Sequence, residues 1–168
     1  MTARHTTVDT NLGPITIVAD GDAITRLYFE RHTRRPGGTS LGTEVPMSGD
    51  RLLIEAARQL LDYLDGRRDG FDLPLHATGD EFNHEVWEII TGIPFGQTTT
   101  YGAIAERLGG KTLAREVGQA VGANPLCIFI PCHRVVGADG SLTGYAGGLA
   151  RKRALLQLEE PAAAGQLF

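Results

Sequence analysis

The chain has 168 residues, of which 42% are hydrophobic and 21% are charged, and its formal net charge at pH 7 is −4. This composition is typical of a folded globular protein and excludes a disordered chain. The sequence has no apolar run of about 18 residues and no apolar core near its N-terminus, so we predict neither a membrane-spanning helix nor an export signal.

Neither half of the chain is basic. Residues 1–79 carry nine Lys or Arg against eleven Asp or Glu, and the remainder carries seven against nine. Binding to nucleic acid would therefore need a local surface, with modest and salt-dependent affinity. The two cysteines are too few for a disulfide framework, which predicts a reducing, cytoplasmic location.

The first third of the chain predicts strands. Residues 5–30 contain β-rich runs separated by Asp20-Gly21-Asp22, which is typical of a hairpin turn. Residues 32–49 hold four Gly, two Pro and five Ser or Thr, which predicts a loop.

A helix is predicted after this loop, with Asp50 as its N-cap and Gly66 as its stop. Its apolar face comprises Leu53, Ala57, Leu60, Leu61 and Leu64. Alternation of Phe71, Leu73 and Leu75 predicts a further strand. We therefore expect residues 1–78 to form an α+β domain.

Residues 79–168 are predicted to form a mainly helical domain. A helix carrying Phe82, Val86, Ile89 and Ile90 should end at Gly92 and be followed by a turn over 93–96. Thr100 is the expected cap of a helix from Tyr101 to Leu108, which Gly109-Gly110 ends, and a second helix is expected from Thr112 to Gly122. Two short helices joined by a glycine-containing turn indicate a helix-turn-helix.

The second of these helices has one face without bulky side chains. Leu113, Val117, Ala120 and Val121 form its apolar stripe, and the opposite face carries Arg115, Gly118, Gln119 and Gly122. Glycine in a helix costs about 1 kcal/mol relative to alanine, so two glycines on one face need a reason. Close approach to a DNA groove is one explanation, and helix packing or simple tolerance is the other.

A cysteine and a histidine are neighbours at the end of a buried segment. Residues 126–130 form an apolar run that Pro131 ends, so we expect Cys132 to emerge where the core gives way to polar residues. His133 and Arg134 are the kinds of neighbour that favour a thiolate nucleophile. Cys127 is expected to pack as a small apolar side chain, and a structural thiol is the alternative for Cys132 as well.

The last predicted helix, about 149–160, contains an acid on its apolar side. Leu149, Lys152, Leu155 and Leu156 share that side with Glu159. Because acids are seldom buried without a partner, Glu159 should bind a histidine or Lys152 internally. The alternative is a frayed, half-exposed end of the helix.

Together these segments resemble one family. Ile130-Pro131-Cys132-His133-Arg134-Val135-Val136, preceded by Asn124-Pro125 and followed by residues 144–149, resembles the signature of the methylated-DNA–protein-cysteine methyltransferases, which repair O6-alkylguanine in DNA. The resemblance is specific from about Phe82 to Glu159 and loose before it. It implies a small ribonuclease-H-like N-terminal domain with an antiparallel sheet, then a winged helix-turn-helix-like domain.

The resemblance also implies roles for single residues. Cys132 would accept the alkyl group, His133 would act on the thiol through a bridging water, Glu159 would hold His133, and Asn124 would tie the helix-turn-helix to the active-site segment. The extruded guanine would meet Tyr101, the carbonyls of Cys132 and Val135, the Ala146 N–H and the wall formed by Tyr145. Contacts to duplex DNA, in its minor groove, would come from Ala114, Arg115 as the base-flipping finger, Gly118, Gln119 and Gly122.

The implied protein needs no cofactor and works as a monomer on double-stranded DNA without a membrane. Because no cysteine precedes Cys127, we predict no metal site. Clustering along DNA and repair of O4-alkylthymine are left open, and Glu116 on the DNA-facing helix should repel phosphate. The alternatives are a non-catalytic lesion-binding or regulatory DNA-binding protein and, ranked last, a cysteine hydrolase or redox protein.

Overall fold

The computed structural model describes residues 3–32 and 41–160, which fall into two compact units. One unit comprises the described residues up to Thr78 together with Pro125–Phe129, and the other comprises Gly79–Asn124 and the described residues from Ile130 onwards. The division predicted from the sequence assigns residues 125–129 to the C-terminal domain. Their backbone instead pairs with the first unit, where the Leu27 N–H donates to the Pro125 carbonyl over 2.9 Å.

The first unit is built on a four-stranded sheet in the order β3-β2-β1-β4. Its strands are β1 (Ala3–Thr10), β2 (Gly13–Asp20), β3 (Ala23–Phe29) and β4 (Thr43–Glu44). The first three strands pair antiparallel, and the two-residue β4 adds a parallel edge to β1. The predicted hairpin at Asp20-Gly21-Asp22 is confirmed, with Gly21 at a φ of 61° that suits glycine.

Helix α1 (Arg51–Leu64) follows the sheet and confirms the predicted signals at both ends. The Leu53 N–H donates to the Asp50 side chain over 3.0 Å, and Gly66 takes a φ of 79° just beyond the last turn. The predicted apolar face is buried except for the half-buried Leu61.

One prediction in this unit is wrong, and another falls partly on residues outside the described ranges. The strand predicted over Phe71–Leu75 is wrong, since Leu75 makes only an isolated bridge to Ile24. Pro74 has no N–H to donate, and only its carbonyl bonds, to the Ile24 N–H over 2.8 Å. In the predicted 32–49 loop, residues 33–40 lie outside the described residues, and the remainder contains β4 and a 3₁₀ turn at Met47–Gly49.

The described residues of the second unit form four α-helices: α2 (Glu81–Thr91), α3 (Tyr101–Leu108), α4 (Ala114–Gly122) and α5 (Leu149–Leu158). Gly92 ends α2, Thr100 caps α3 through the Ala103 N–H, and the paired Gly109 and Gly110 end α3, as predicted. Helix α4 starts two residues later than predicted, because Lys111–Leu113 form a 3₁₀ turn before it. The helix-turn-helix and the α+β class are confirmed.

The apolar side of helix α4 packs against the rest of the second unit. Val117, Ala120 and Val121 are buried, and the indole N–H of Trp87 on α2 donates to the Ala120 carbonyl over 2.8 Å. On the other side Arg115, Gln119 and Gly122 are exposed and Gly118 is half-buried. Helix α2 therefore supports the inner face of α4, while the glycine-bearing face is exposed at Gly122 and half-buried at Gly118, beside Tyr101. Among the described residues, no helix has the length and apolar character needed to cross a bilayer.

Candidate active site

A short parallel pair of strands brings two distant segments of the second unit together. In this pair β5 (Thr99–Thr100) lies beside β6 (Val135–Val136), with Thr99 opposite Val135. Tyr101 follows β5 directly as the first residue of α3, and the Cys132–Arg134 3₁₀ turn directly precedes β6. Because the two strands are parallel, Tyr101 lies at the C-terminal end of the pair and the Cys-His-Arg turn lies at its N-terminal end. The pair therefore joins the start of the helix-turn-helix and the Cys-His-Arg segment to one two-stranded unit.

The sequence predicts that Cys132 emerges where the core gives way to polar residues. In the structure Cys132 is instead buried, together with His133 and Arg134. The prediction fails because the side chains of His133 and Arg134 turn inward to a common acid, Glu159, instead of outward to solvent. The Ile130 carbonyl anchors the cysteine backbone, accepting the Cys132 N–H over 2.7 Å. The side chain of Asn124 donates to this same carbonyl over 2.9 Å, so Asn124 connects the end of α4 to the cysteine segment.

His133 and Glu159 form a buried pair. The His133 Nε2 lies 2.8 Å from Glu159 Oε2, and the two side chains are 0% and 2% exposed. The expectation that Glu159 binds an internal histidine is confirmed, and the frayed-end alternative is wrong. Burial lowers the pKa of His133, an effect that the attraction of Glu159 opposes but does not overcome. In the tautomer with its proton on Nε2, a neutral imidazole at this position donates to the Glu159 carboxylate.

Arg134 binds the same carboxylate, a contact that is not predicted from the sequence. Its Nε donates to Glu159 Oε1 and its Nη2 to Oε2, both over 2.8 Å, and its Nη1 donates to the Ile93 carbonyl over 2.6 Å. The sequence predicts only that Arg134 is a cationic neighbour of the thiol. The requirement of a buried acid for a countercharge is the signal that could have identified this pairing.

Lys152 is fully buried on α5 and is not a partner of Glu159, so that alternative is wrong. Its Nζ donates to the Thr143 carbonyl over 2.8 Å and to the Gly144 carbonyl over 3.3 Å. Burial lowers the pKa of Lys152, while attraction to the Cys132 thiolate acts in the opposite direction. A buried cation thus lies within electrostatic reach of the sulfur.

The segment that Lys152 holds leads to the predicted substrate-binding residues. The Tyr101 hydroxyl donates to the Thr143 carbonyl over 3.2 Å, and Tyr145 and Ala146 follow as half-buried residues. Val135 is buried in β6. Tyr101 and this segment are in contact, whereas the roles of Val135, Tyr145 and Ala146 toward a nucleobase stay predictions.

The exposed face of α4 holds the predicted DNA contacts, namely Arg115, Gly118, Gln119 and Gly122, with the half-buried Ala114 as the first residue of the helix. Glu116 is exposed beside them. Within residues 3–32 and 41–160, no group of three or more His, Cys, Asp or Glu side chains is arranged to hold a metal ion.

Comparison with known proteins decides the family. Residues 3–77 match the ribonuclease-like domain of 6-O-methylguanine DNA methyltransferase, and residues 81–161 match its DNA-binding domain. The methylated-DNA–protein-cysteine methyltransferase of Mycobacterium tuberculosis is 41% identical over 164 residues, covering 98% of this chain and 96% of that protein. The chain belongs to the methylated-DNA–protein-cysteine methyltransferase family.

Other members of this methyltransferase family agree with the assignment. The constitutive protein of Bacillus subtilis is 38% identical over 156 residues, covering 90% of this chain and 92% of that one. The crystal structure of Mycobacterium tuberculosis OGT in complex with DNA superposes with a TM-score of 0.85 at 42% identity, covering 93% of this chain and 92% of the other. The family resemblance and the methyltransferase class predicted from the sequence are thereby confirmed, as is membership of a DNA-binding repair family.

Proposed function

We propose that this methyltransferase repairs duplex DNA directly, by moving an alkyl group from O6 of guanine to Cys132 once per molecule. The observation that carries the proposal is the 2.8 Å bond between His133 and Glu159, fully buried and one residue from Cys132. This arrangement gives a thiol an oriented neutral base, which is what an activated cysteine nucleophile needs.

The reaction is a single displacement at carbon. The Cys132 thiol gives its proton to His133 through a bridging water, and Glu159 stabilises the imidazolium that forms. The sulfur then attacks the alkyl carbon in line, the S–C bond forms as the C–O6 bond breaks, and the electron pair of that bond goes to O6. Guanine takes a proton at N1, balanced by the thiol proton that the imidazolium gives back through the bridging water, and leaves as the neutral base. The stable thioether ends the activity of the molecule.

The substrate base must leave the helix before this displacement can occur. Extruding a nucleotide costs a few kcal/mol, and least where the base pair is already weak, as for an O6-alkylated guanine. Arg115 would fill the space in the base stack, while Ala114, Gly118, Gln119 and Gly122 would let α4 approach the minor groove closely. Tyr101, Tyr145, the Val135 carbonyl and the Ala146 N–H would receive the extruded base.

The test is alkyl transfer from duplex DNA with labelled O6-methylguanine. One label per protein molecule should appear on Cys132, located by peptide mass spectrometry, with no further turnover on fresh substrate. Cys127→Ser is the matched control and should label normally, whereas Cys132→Ser should bind the DNA without label. Transfer of no label, or of label to Cys127, would refute the proposal.

Two further measurements define the scope of the proposed repair. A duplex with labelled O4-methylthymine tests whether the pocket accepts a second alkylated base. Sedimentation with and without DNA tests whether the protein acts as a monomer or clusters along the duplex.

A further inference from the structure

The guanidinium of Arg134 binds both carboxylate oxygens of Glu159, the acid that also contacts His133. Both carboxylate oxygens accept from Arg134 at 2.8 Å, and one of them, Oε2, also lies 2.8 Å from His133 Nε2. Glu159 therefore bridges two consecutive residues of the Cys132–Arg134 turn. Arg134 itself is 7% exposed, so solvent screens this contact little.

The position of the guanidinium is itself fixed by other contacts. Its third nitrogen, Nη1, donates to the Ile93 carbonyl over 2.6 Å, and the group lies 5.9 Å from the centre of the Phe95 ring. A planar guanidinium held at three nitrogens sets the plane and position of the carboxylate that it grips. A lysine ammonium has no such fork and could not satisfy both oxygens and the carbonyl in this geometry.

A cationic partner favours the ionised form of a buried carboxylate, and Arg134 is such a partner of Glu159. A carboxylate that is 2% exposed and has no cationic partner takes up a proton instead of staying ionised. A protonated Glu159 could donate its proton to His133 Nε2, which would leave the imidazole proton on Nδ1. The ring would then have lost the nitrogen that receives the thiol proton.

We propose that Arg134 is a positioning residue that keeps Glu159 ionised and thereby locks His133 in the tautomer with its proton on Nε2. The inference rests on the proposed alkyl transfer to Cys132 and adds to it a residue that touches neither the sulfur nor the base. Arg134 acts on His133 by way of Glu159. This role differs from direct stabilisation of the Cys132 thiolate by a nearby positive charge.

The first test is a double-mutant cycle on the reaction with free O6-methylguanine, which needs no base flipping. Arg134→Met should slow transfer by a large part of the roughly 10²–10⁴-fold that a general base supplies, and Arg134→Lys should slow it less. In a Glu159→Gln background, Arg134→Met should cause no further loss. Thermal unfolding and binding of undamaged duplex serve as controls for folding.

The second test is the pH profile of the same reaction. In Arg134→Met, raising the pH ionises Glu159 and should recover the rate more steeply than in Glu159→Gln, which has no carboxyl to ionise. An equal loss from Arg134→Met in both backgrounds, or parallel pH profiles, would overturn the inference and assign Arg134 a direct effect on the sulfur.

A third measurement does not depend on activity. The ¹⁵N chemical shifts of His133 in the folded protein report which ring nitrogen carries the proton. We expect the proton on Nε2 in the wild type, and a larger population with the proton on Nδ1 in Arg134→Met. A wild-type ring protonated on Nδ1 would overturn the inference even if alkyl transfer is normal. Absence of label on wild-type Cys132 would instead refute the proposed function and leave the tautomer result to decide this inference.

Discussion

At the scale of single residues, burial and Glu159 are the two largest influences on the state of His133, and they oppose each other, while the positive charges of Arg134 and Lys152 add to the effect of burial. Complete burial disfavours the imidazolium and lowers the pKa of the ring, whereas the bond to Glu159 raises it, and burial has the larger effect. The folded protein therefore holds a neutral histidine at neutral pH. The same balance makes a prediction about stability, because an unfolded chain has no such restriction.

We predict that His133 makes the folded state less stable in mild acid. With the folded pKa below the unfolded value of 6.5, the unfolded chain binds a proton that the native ring refuses, so stability is lost as pH falls below 6.5. The slope should reach at most about 1.4 kcal/mol per pH unit. Urea unfolding gives the free energy of unfolding of the wild type and of His133→Gln between about pH 5 and 7.5. The difference between the two pH dependences is the contribution of His133.

The control is His84→Gln, which removes an exposed histidine from α2. Its stability should follow the wild-type pH dependence. A difference between wild type and His133→Gln that stays constant across this range would contradict the prediction, since it would mean that His133 takes up its proton equally in both states.

A second prediction at this scale concerns Arg115, exposed near the start of α4. If it supports base extrusion, Arg115→Ala should slow reaction with duplex DNA strongly and leave reaction with free O6-methylguanine unchanged, because only the duplex requires flipping. Single-turnover rates on both substrates measure this. Arg107→Ala, which removes an exposed arginine from α3, is the matched control for charge. Equal losses on the two substrates would count against the flipping role.

At the scale of elements, the sequence predicts what local chemistry decides. Asp50 and Thr100 mark helix starts by accepting backbone N–H groups three residues ahead, and the Gly109-Gly110 pair, with φ of 146° at both residues, marks a stop. These signals act within a few residues, so they can be read without knowing the fold. The strand expected at Phe71–Leu75 fails because alternation alone carries no information about which partner strand is available, and Pro74 removes a donor.

The candidate site could be predicted only in part for the same reason. The family resemblance identifies Cys132, His133 and Glu159, and the apolar side of α5 identifies Glu159 as an acid in need of a partner. The choice of Arg134 as a second partner of Glu159 depends on contacts 25 residues apart in sequence. The same holds for Lys152, which binds carbonyls of the Thr143–Gly144 segment instead of the nearby acid.

Helix α4 supports a prediction in which stability and function change in opposite directions. A Cβ added at Gly118 would meet only Tyr101 at 3.9 Å, an ordinary contact, so Gly118→Ala should stabilise the free protein by up to about 1 kcal/mol. If this face approaches DNA closely, the same methyl group should weaken duplex binding. Urea unfolding and titration of undamaged duplex measure the two effects.

The control for Gly118→Ala is Gly92→Ala at the end of α2, where the backbone is helical and the nearest contact of an added Cβ is the Ile89 carbonyl at 3.5 Å. It should leave DNA affinity unchanged. A Gly118→Ala protein that is more stable and binds DNA as well as the wild type would show that the glycine reflects tolerance, the alternative left open by the sequence.

At the scale of the whole molecule, the net charge is negative, whereas long-range attraction to DNA requires positive charge on the protein. The net charge is −4 and neither half of the chain is basic, so binding must depend on the local charges of α4 and its surroundings. Exposed Arg115 and Glu116 are neighbours on that helix, and their charges oppose each other toward phosphate. The affinity should therefore be sensitive to a single charge placed at this face.

We predict that Glu116→Gln strengthens binding to undamaged duplex by about threefold at low salt. This corresponds to roughly 0.6 kcal/mol, the repulsion between the Glu116 carboxylate and one phosphate charge across about 7 Å of water. The gain should shrink as salt screens the repulsion. Asp22→Asn, which changes the net charge equally in the turn between β2 and β3, is the control and should alter affinity less. Equal gains from both substitutions would mean that overall charge, and not the local field at α4, limits binding.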